Sequence, residues 1–328
     1  MDVYMGIDVG SVSTDVALID SNNEVIDFVY IRTQGQPIKA VQKAMVMLRD
    51  RIHTDISVKG VGTTGSARQL TGLMVGADIV KNEVTAHAIA SSNLIKDVHT
   101  VFEIGGQDSK IIILRDGIVV DFAMNTVCAA GTGSFLDQQA YRLNIPIEEF
   151  GDLALKSVSP VRIAGRCGVF AESDMIHKQQ MGYALPDIIG GLCEALVRNY
   201  LNNVGKGKDI REPIVFQGGV AANKGIKAAF EKALGMEVYV PKYYGVMGAI
   251  GAAILAKEAV KKKGFSEFKG FEIADFDYKA QGFECTGCSN GCEVVEFIKD
   301  DEVISRWGDK CGKWSNSTSK NIFSKNVS

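Results

Sequence analysis

The sequence lacks any excess of basic residues and any apolar run long enough to span a membrane. Over 328 residues the formal net charge is −3, so nucleic acid is not an expected partner. No positively charged leader or cleavage site precedes the first predicted strand. We therefore expect a cytoplasmic location and no membrane partner. With 46% hydrophobic residues, a chain of this length can fill two sizeable cores.

A disulfide framework is also lacking, although the chain has seven cysteines. Cys285, Cys288 and Cys292 follow the spacing Cys-x2-Cys-x3-Cys, and Cys311 lies beyond a predicted hairpin. This spacing is typical of metal binding in a reducing compartment. We predict a closed metal site over residues 285–311. Its metal stays open, because four thiolates suit zinc and an iron-sulfur cluster equally well.

A Walker phosphate loop is absent too. Gly62-Thr-Thr-Gly65-Ser66 has no lysine at the required spacing, so we interpret it as a turn outside the nucleotide site. Glu83 and His87 are four residues apart on a predicted helix. No third metal ligand is nearby, and we interpret these two residues as neighbours on one helix face.

What the sequence does contain is a glycine-bearing hairpin that occurs twice. Residues 3–19 predict a strand, a polar turn and a second strand, and residues 101–122 repeat this pattern. The two copies align Asp8 with Glu103 and Gly10 with Gly105. Two such hairpins can face each other across a cleft, where backbone amides contact phosphates and acidic residues orient magnesium-bound water. The duplication therefore indicates a two-sided clamp for a nucleotide.

Two further cysteines each precede a predicted helix. Cys128 comes before a helix that starts near Ser134, and Cys167 comes before a helix predicted from Ala171. A helix N-terminus lowers the pKa of a thiol and stabilises the anionic sulfurs of an iron-sulfur cluster. One chain supplies only two such thiolates, so a twofold dimer would be needed to complete a 4Fe-4S cluster. Spacing alone equally allows two buried, inert cysteines, as we expect for Cys193 within an apolar helix.

Three motifs resemble the phosphate-1, phosphate-2 and adenosine motifs of the actin, sugar-kinase and Hsp70 ATPase superfamily: Asp8-Val-Gly-Ser, Glu103-Ile-Gly-Gly-Gln-Asp-Ser-Lys110 and Gly218-Gly-Val-Ala-Ala-Asn223. Together with the two cysteine segments, these motifs make the chain similar to the BadF/BadG/BcrA/BcrD-type ATPase family, from about residue 3 to about residue 260. That family includes the activators of (R)-2-hydroxyacyl-CoA dehydratases, the ATPase subunits of benzoyl-CoA reductase and the reductases of double-cubane cluster proteins.

The resemblance implies a duplicated α/β fold of the actin, Hsp70 and sugar-kinase kind, with two lobes around a nucleotide cleft. We expect the first lobe over residues 1–100 and the second, with the cluster-binding helices, over 101–263. The remainder divides into a linker (264–284), a small cysteine-rich extension (285–311) and a tail expected to be disordered (312–328).

The resemblance further implies an ATP-dependent electron donor of low potential. Cys128 and Cys167 would hold one 4Fe-4S cluster that is shared by the two protomers of a homodimer. Ferredoxin or flavodoxin would supply the electron, and an iron-sulfur acceptor, either a dehydratase or a double-cubane cluster protein, would receive it. ATP with Mg²⁺ would bind between the lobes, and its hydrolysis to ADP would drive the transfer.

Residue roles follow from the same resemblance. Asp8 would order magnesium through water, and Gln107 or Asp108 would position the attacking water. The predicted nucleotide-binding residues are Gly10, Ser11, Ser13, Thr14, Glu103, Gly105, Gly106, Lys110, Gly218, Gly219, Val220 and Asn223. Two alternatives stay open. One is a small-molecule kinase of the N-acetylglucosamine-kinase type, which needs neither Cys128 nor Cys167. The other is a non-redox ATP switch whose cysteine-rich tail holds zinc.

Overall fold

The structure, a computed structural model that describes residues 1–52 and 56–315, contains two sheets with the same topology. The first sheet has the strands β1 (Asp2–Val9), β2 (Ser13–Ile19), β3 (Val25–Arg32), β4 (Ser57–Thr64) and β5 (Ile79–Val80), in the order β3-β2-β1-β4-β5. The second has β6 (Thr100–Ile104), β7 (Ser109–Arg115), β8 (Ile118–Asn125), β9 (Ile214–Gln217) and β10 (Val238–Tyr239), in the order β10-β9-β6-β7-β8. In both sheets, three successive antiparallel strands are extended by two parallel strands. The predicted duplicated, two-lobed fold is confirmed.

Nine helices flank the sheets within the described residues: α1 (Pro37–Arg51), α2 (Arg68–Val75), α3 (Glu83–Leu94), α4 (Gly133–Leu143), α5 (Ile147–Ala154), α6 (Gly168–Gln180), α7 (Leu185–Asn203), α8 (Lys224–Leu234) and α9 (Met247–Lys263). None of them combines the length and the apolar character that a membrane span requires. The second lobe has its own core, which is formed by α4 to α8 packed on the second sheet.

Strand alternation and turn chemistry produce the two hairpins. In the first lobe Asp8 pairs with Asp15 across β1 and β2, and in the second lobe Glu103 pairs with Lys110 across β6 and β7. The turn between β7 and β8 is Asp116-Gly117, and both residues have positive φ, as a tight two-residue hairpin turn requires. The pairing register therefore places equivalent polar residues of the two lobes at the same end of each hairpin.

The last helix of the ATPase region returns to the first lobe. The sequence analysis assigned residues up to 263 to the second lobe, yet α9 packs on β1, β2 and β4. Contact is close because glycine lines it: a Cβ on Gly6 would overlap the carbonyl oxygen of Ala249, and one on Gly62 would overlap that of Ala252. The end of the predicted second lobe, α9, therefore packs on the sheet of the first lobe.

The extension forms a third, small sheet. Its antiparallel strands are β11 (Tyr278–Glu284), β12 (Glu293–Lys299) and β13 (Glu302–Trp307). Ile273, Tyr278 and Phe297 are buried in the core of the first lobe. Part of the predicted linker is thus a strand. Of the tail predicted to be disordered, residues 316–328 lie outside the described residues.

Candidate functional site

A cleft of about 450 Å³ separates the two repeated hairpins. Every residue predicted to bind or hydrolyse nucleotide lines this cleft, with one exception. The lining residues from the predicted set are Asp8, Gly10, Ser11, Ser13, Glu103, Gly105, Gly106, Gln107, Asp108, Lys110, Gly218, Gly219, Val220 and Asn223. The sequence motifs are therefore brought together in space, while the individual role of each residue stays a prediction.

The exception is Thr14, which does not line the cleft. Its side chain is buried, and its hydroxyl is 2.9 Å from that of Thr33. Successive side chains of a strand point to opposite faces, so Ser13 and Asp15 face the cleft while Thr14 faces away from it. Thr14 thus packs on the face of the hairpin opposite the cleft, and its hydroxyl does not point toward the cleft.

On the second-lobe side of the cleft, a lysine joins two acidic residues. The Lys110 ammonium is 2.9 Å from a carboxylate oxygen of Glu103 and 2.9 Å from one of Asp108. Burial raises the pKa of Glu103 to about 7, and Lys110 opposes this shift. Burial lowers the pKa of Lys110, but the two carboxylates outweigh it and the net shift is upward. The lysine therefore stays charged and offsets part of the negative charge of the two carboxylates on this side of the cleft.

On the first-lobe side, the cleft-lining cation Arg32 is paired with Asp137 over 3.7 Å. Burial raises the pKa of Asp8 to about 7; Lys110 opposes the shift, whereas Glu83 and Asp108 add to it. Burial, with the nearby Asp8 carboxylate, also raises the pKa of Asp15. In the described part of the chain, Oδ1 of Asp15 is buried without a hydrogen-bond partner. Two carboxylates beside a phosphate pocket suit Mg²⁺, which is commonly held by one or two carboxylates together with substrate phosphates.

Several residues that line the cleft were missed or left out by the sequence analysis. Gly65 and Ser66, interpreted as a turn outside the site, line it, and so do Glu83 and His87 of α3. Gly65 has φ +86°, and a Cβ there would overlap Oδ1 of Asp8. A glycine at position 65 is the sequence feature that could have indicated this, because it lets the backbone approach Asp8. The missing Walker lysine does not exclude residues 62–66 from a nucleotide site in this fold.

His87 is held as a neutral side chain beneath the cleft. Its Nδ1 is 2.9 Å from Nε2 of Gln217, at the end of β9. Burial lowers the pKa of His87 to about 3, and Lys110 adds to the shift. On α9, Gly248 lies against both Asp8 and His87, because a Cβ on Gly248 would overlap Oδ2 of Asp8 and lie 3.3 Å from Cε1 of His87. The returning helix therefore contributes to the nucleotide site.

The diglycine turn after β9 borders the other end of the cleft. Gly218 has φ +87°, and a Cβ there would lie 2.5 Å from the Ile104 carbonyl oxygen. Asn223 lines the cleft, but its side chain also accepts a hydrogen bond of 3.1 Å from the Ile226 amide and so caps α8. Glycine at this turn lets the backbone lie close against β6.

Cys167 lies at the start of a helix, as predicted, whereas α4 begins only at Gly133, beyond Cys128. Cys128 precedes a single 3-10 turn (Ala129–Gly131), and Cys167 is the N-cap of α6, which begins at Gly168 and not at Ala171. Neither side chain caps its own helix. Both cysteines are half-buried, whereas Cys193 is buried in the core with its pKa raised by burial.

Two buried asparagines fix the two cysteine segments. Asn125 accepts a hydrogen bond of 3.0 Å from the Cys128 amide and donates one of 2.8 Å to the Cys128 carbonyl. Asn199 of α7 donates one of 2.7 Å to the carbonyl of Gly165, and its Oδ1 would be 2.6 Å from a Cβ on Gly131. Asn199 therefore touches both segments and joins them.

The donor set fits an iron-sulfur cluster that is shared between two chains. One partly exposed thiol lies at the N-cap of α6 and the other before a 3-10 turn. The segments that carry them are adjacent, because a Cβ on Gly168 would lie 3.8 Å from that of Ala130. One chain provides two thiolates where a cubane requires four. Beside these cysteines Val127, Val169 and Phe170 are exposed by 95%, 71% and 66%.

The four cysteines of the extension are not brought together as ligands. Within residues 1–52 and 56–315, no three His, Cys, Asp or Glu side chains form a group that could hold a metal ion. Cys285 and Cys292 pack against Val294, while Cys288 and Cys311 are exposed. The Trp314 indole donates to the Cys285 sulfur over 3.2 Å, and this bond lowers the pKa of that thiol. The predicted closed site is therefore not formed by this arrangement.

Two repeated sheets that enclose a phosphate-binding cleft define the class: a two-lobed ATPase of the actin and sugar-kinase fold. The ethanolamine utilization protein EutJ from Carboxydothermus hydrogenoformans shares this fold, with 15% identity, a TM-score of 0.53 and coverage of 77% of this chain and 90% of EutJ.

Closer similarity is found among dehydratase activators. The (R)-2-hydroxyglutaryl-CoA dehydratase activating ATPase of Acidaminococcus fermentans is 34% identical over 269 residues, which is 80% of this chain and 100% of that protein. The activator of the 2-hydroxyisocaproyl-CoA dehydratase from Clostridium difficile, solved with bound ADPNP, is 29% identical with a TM-score of 0.70, covering 80% of this chain and 97% of that chain. The model of the BadF/BadG/BcrA/BcrD ATPase family matches residues 5–256. The chain belongs to this family.

Proposed function

We propose that the protein is an ATP-dependent electron donor that delivers single electrons at low potential to an iron-sulfur partner. A homodimer would hold one 4Fe-4S cluster on Cys128 and Cys167 of each protomer. The bound cluster would supply a one-electron carrier. Ferredoxin or flavodoxin would reduce it, and the acceptor would be a 2-hydroxyacyl-CoA dehydratase or a double-cubane cluster protein.

The observation that carries this proposal is the pair of half-buried cysteines, Cys128 and Cys167, on adjacent segments that Asn199 joins. A kinase or a simple ATP switch has no need of two thiols in this arrangement. The named relatives support the choice of partner, because they are activators of dehydratases. Exposed apolar residues directly beside both cysteines, Val127, Val169 and Phe170, support a contact with a second protein chain.

The cleft would bind ATP by its backbone and neutralise it with Mg²⁺. Asp8 and the partnerless oxygen of Asp15 would hold the hydrated Mg²⁺ ion. Ser11 and Ser13 would contact phosphates, and Gly218, Gly219 and Val220 would lie along the adenosine. Gln107 or Asp108 would position the water that attacks the terminal phosphate. Differential contact with the triphosphate and the diphosphate would then give the two lobes two arrangements.

Metal analysis tests this proposal. Iron, sulfide and zinc per protomer would be measured on protein purified without oxygen, for the wild type and for Cys128→Ser/Cys167→Ser. Dithionite-reduced samples would be compared by electron paramagnetic resonance. We expect the double variant to lose one cluster per dimer. A wild type without iron would contradict the proposal and favour a kinase or a non-redox switch.

The matched control removes two exposed cysteines of the extension. Cys288→Ser/Cys311→Ser changes the same number of thiols but leaves both helix-start cysteines in place. We expect this control to keep the shared cluster, with the iron content and the paramagnetic signal of the wild type. If the paramagnetic signal of the cluster were lost in the control but kept in Cys128→Ser/Cys167→Ser, the cluster would belong to the cysteines of the extension and the proposal would be rejected.

A further inference from the structure

The phosphate loop of the second lobe is bonded directly to the helix that follows Cys128. The amide of Gly133 donates to the carbonyl oxygen of Gly105 over 2.9 Å, and the amide of Ser134 donates to that of Gly106 over 2.8 Å. The Ser134 hydroxyl donates a further bond of 2.5 Å to the same Gly106 oxygen. Three hydrogen bonds thus connect two cleft-lining glycines to the first turn of α4.

Packing strengthens this connection. A Cβ on Gly133 would lie 3.1 Å from the Gly105 carbonyl oxygen and 3.1 Å from Cγ2 of Val220, so Gly133 is enclosed between the phosphate loop and the diglycine turn. Leu136 and Asp137, one turn further along α4, also line the cleft. Gly133, Leu136 and Asp137 of α4 are therefore part of the cleft wall, whereas Ser134 is not.

Between α4 and Cys128 the chain is short and braced. Both the amide and the hydroxyl of Thr132 donate to the carbonyl of Ala129, over 3.0 and 2.8 Å. Asn125 holds the backbone of Cys128 at both its amide and its carbonyl. A displacement of the first turn of α4 cannot be absorbed by a loose loop, so it moves Cys128.

The helix after Cys167 lacks this connection. Ser173 follows Cys167 at the spacing with which Ser134 follows Cys128, yet its hydroxyl donates to Val169 within its own helix, over 3.0 Å. Ser173 is exposed, and no phosphate-loop residue is its partner. The two cysteines of one chain are thus attached to the nucleotide cleft in different ways.

We propose that Ser134 is the positioning residue that couples the occupancy of the phosphate loop to the position of Cys128. This inference rests on the proposed function, because it describes how the nucleotide site would control the cluster site. The coupling acts through Cys128 first and reaches Cys167 only through contacts such as that of Asn199. A nucleotide bound at Gly105 and Gly106 therefore changes the exposure of the Cys128 thiol more than that of Cys167.

The test measures thiol reactivity on the full chain after removal of iron. Alkylation of Cys128 and Cys167 by iodoacetamide would be followed by peptide mass spectrometry, with and without a non-hydrolysable ATP analogue and Mg²⁺. In the wild type we expect the nucleotide to change the Cys128 rate about fivefold, the factor that one hydrogen bond between neutral groups supplies, and the Cys167 rate less. Ser134→Ala removes one of the three hydrogen bonds to the phosphate loop and should lower the Cys128 ratio, while the two backbone bonds remain.

Three comparisons make the result specific. Ser134→Thr retains a hydroxyl and should restore the nucleotide effect, and Ser173→Ala should leave it unchanged. Calorimetry should give the same affinity for the analogue in wild type and Ser134→Ala. A wild-type ratio in Ser134→Ala, no nucleotide effect in the wild type, or lost nucleotide binding in Ser134→Ala would each overturn the inference. Since the assay needs no cluster, a protein that shows this coupling but binds no iron would reject the proposed function alone.

Discussion

The two hairpins that face each other across the cleft share one topology but differ in charge. At the same register, Asp8 is paired with Asp15 in the first lobe, and Glu103 is paired with Lys110 in the second. The second hairpin thus carries its own counterion, whereas the first places two carboxylates together. Two hairpins with the same backbone can therefore carry different charges. The first lobe, with two carboxylates, is the one suited to bind a cation from solution.

The largest expected effect comes from removing the counterion of the second hairpin. Lys110→Met leaves Glu103 buried beside Asp108 without a positive charge. Loss of one partner of a buried ion pair destabilises by about 3–5 kcal/mol, and urea denaturation should show a loss of this size. Adding Glu103→Gln should recover at least half of it. A loss below about 1 kcal/mol, the range of exposed pairs, would show that Lys110 is not the counterion.

A smaller effect is expected from crowding the first hairpin. Gly248→Ala would place a Cβ where Oδ2 of Asp8 lies and so displace that carboxylate. We expect the kcat of ATP hydrolysis, measured by phosphate release, to fall about 100-fold, which corresponds to ~2.7 kcal/mol. The matched change in the second lobe is Gly105→Ala, whose Cβ would lie 3.0 Å from an oxygen of Asp108 and 3.3 Å from one of Glu103. In Gly105→Ala the kcat should fall less than about tenfold. An equal fall of kcat in the two variants would contradict the proposed role of Asp8 in holding Mg²⁺.

The pH dependence of stability should reveal the uncompensated carboxylate. The pKa of Asp8 is raised from 3.8 to about 7, so the folded state holds its proton more tightly than the unfolded state does. The stability that this provides is complete below about pH 4 and is lost as the pH rises through about 7. Asp8→Asn cannot ionise, so relative to wild type it should gain up to ~4 kcal/mol between pH 4 and pH 8.

Thermal unfolding without nucleotide or Mg²⁺, at pH 5 and at pH 8, checks the Asp8→Asn expectation. Asp50→Asn, at an exposed position of α1, controls for the loss of one negative charge. If Asp8→Asn follows the control at both pH values, the carboxylate of Asp8 is not destabilised by burial.

The smallest effect is expected from the ion pair that joins the two lobes. Arg32 of β3 is 3.7 Å from Asp137 of α4, and their side chains are 59% and 47% exposed. Exposed ion pairs contribute about 0–1 kcal/mol, so Arg32→Ala should change the free energy of unfolding by less than ~0.5 kcal/mol. Urea denaturation at low and high salt checks this. A change above 2 kcal/mol would mean that the lobes are held together mainly by this pair.

The repeated hairpins could be predicted because local signals specify them. Apolar residues alternate along each strand, and Asp116-Gly117 specifies a tight turn. Each signal depends only on residues that are close in the sequence. Thr14 shows the limit of motif matching: the same alternation that predicts β2 turns this residue away from the cleft, so strand periodicity should have removed it from the site.

The parts that could not be predicted depend on contacts between distant segments. The sequence of α9 does not indicate which sheet the helix covers. Its packing on the first sheet depends on Gly6 and Gly62, which lie directly against it. Gly65 likewise gains its place in the site from Asp8, which lies far away in sequence. The extension pattern indicated four clustered ligands, whereas the structure buries Cys285 and Cys292 and exposes Cys288 and Cys311.

The return of α9 to the first lobe also affects the order in which the two cores can form as the chain is synthesised. The core of the second lobe is drawn from residues 102–238, so it can close while the chain is still being made. The first lobe needs α9, Ile273 and Phe297 to cover its apolar faces, and these segments are synthesised last. The apolar faces of the first lobe are therefore fully covered only after the core of the second lobe can form, in contrast to the usual order of folding from the N-terminus.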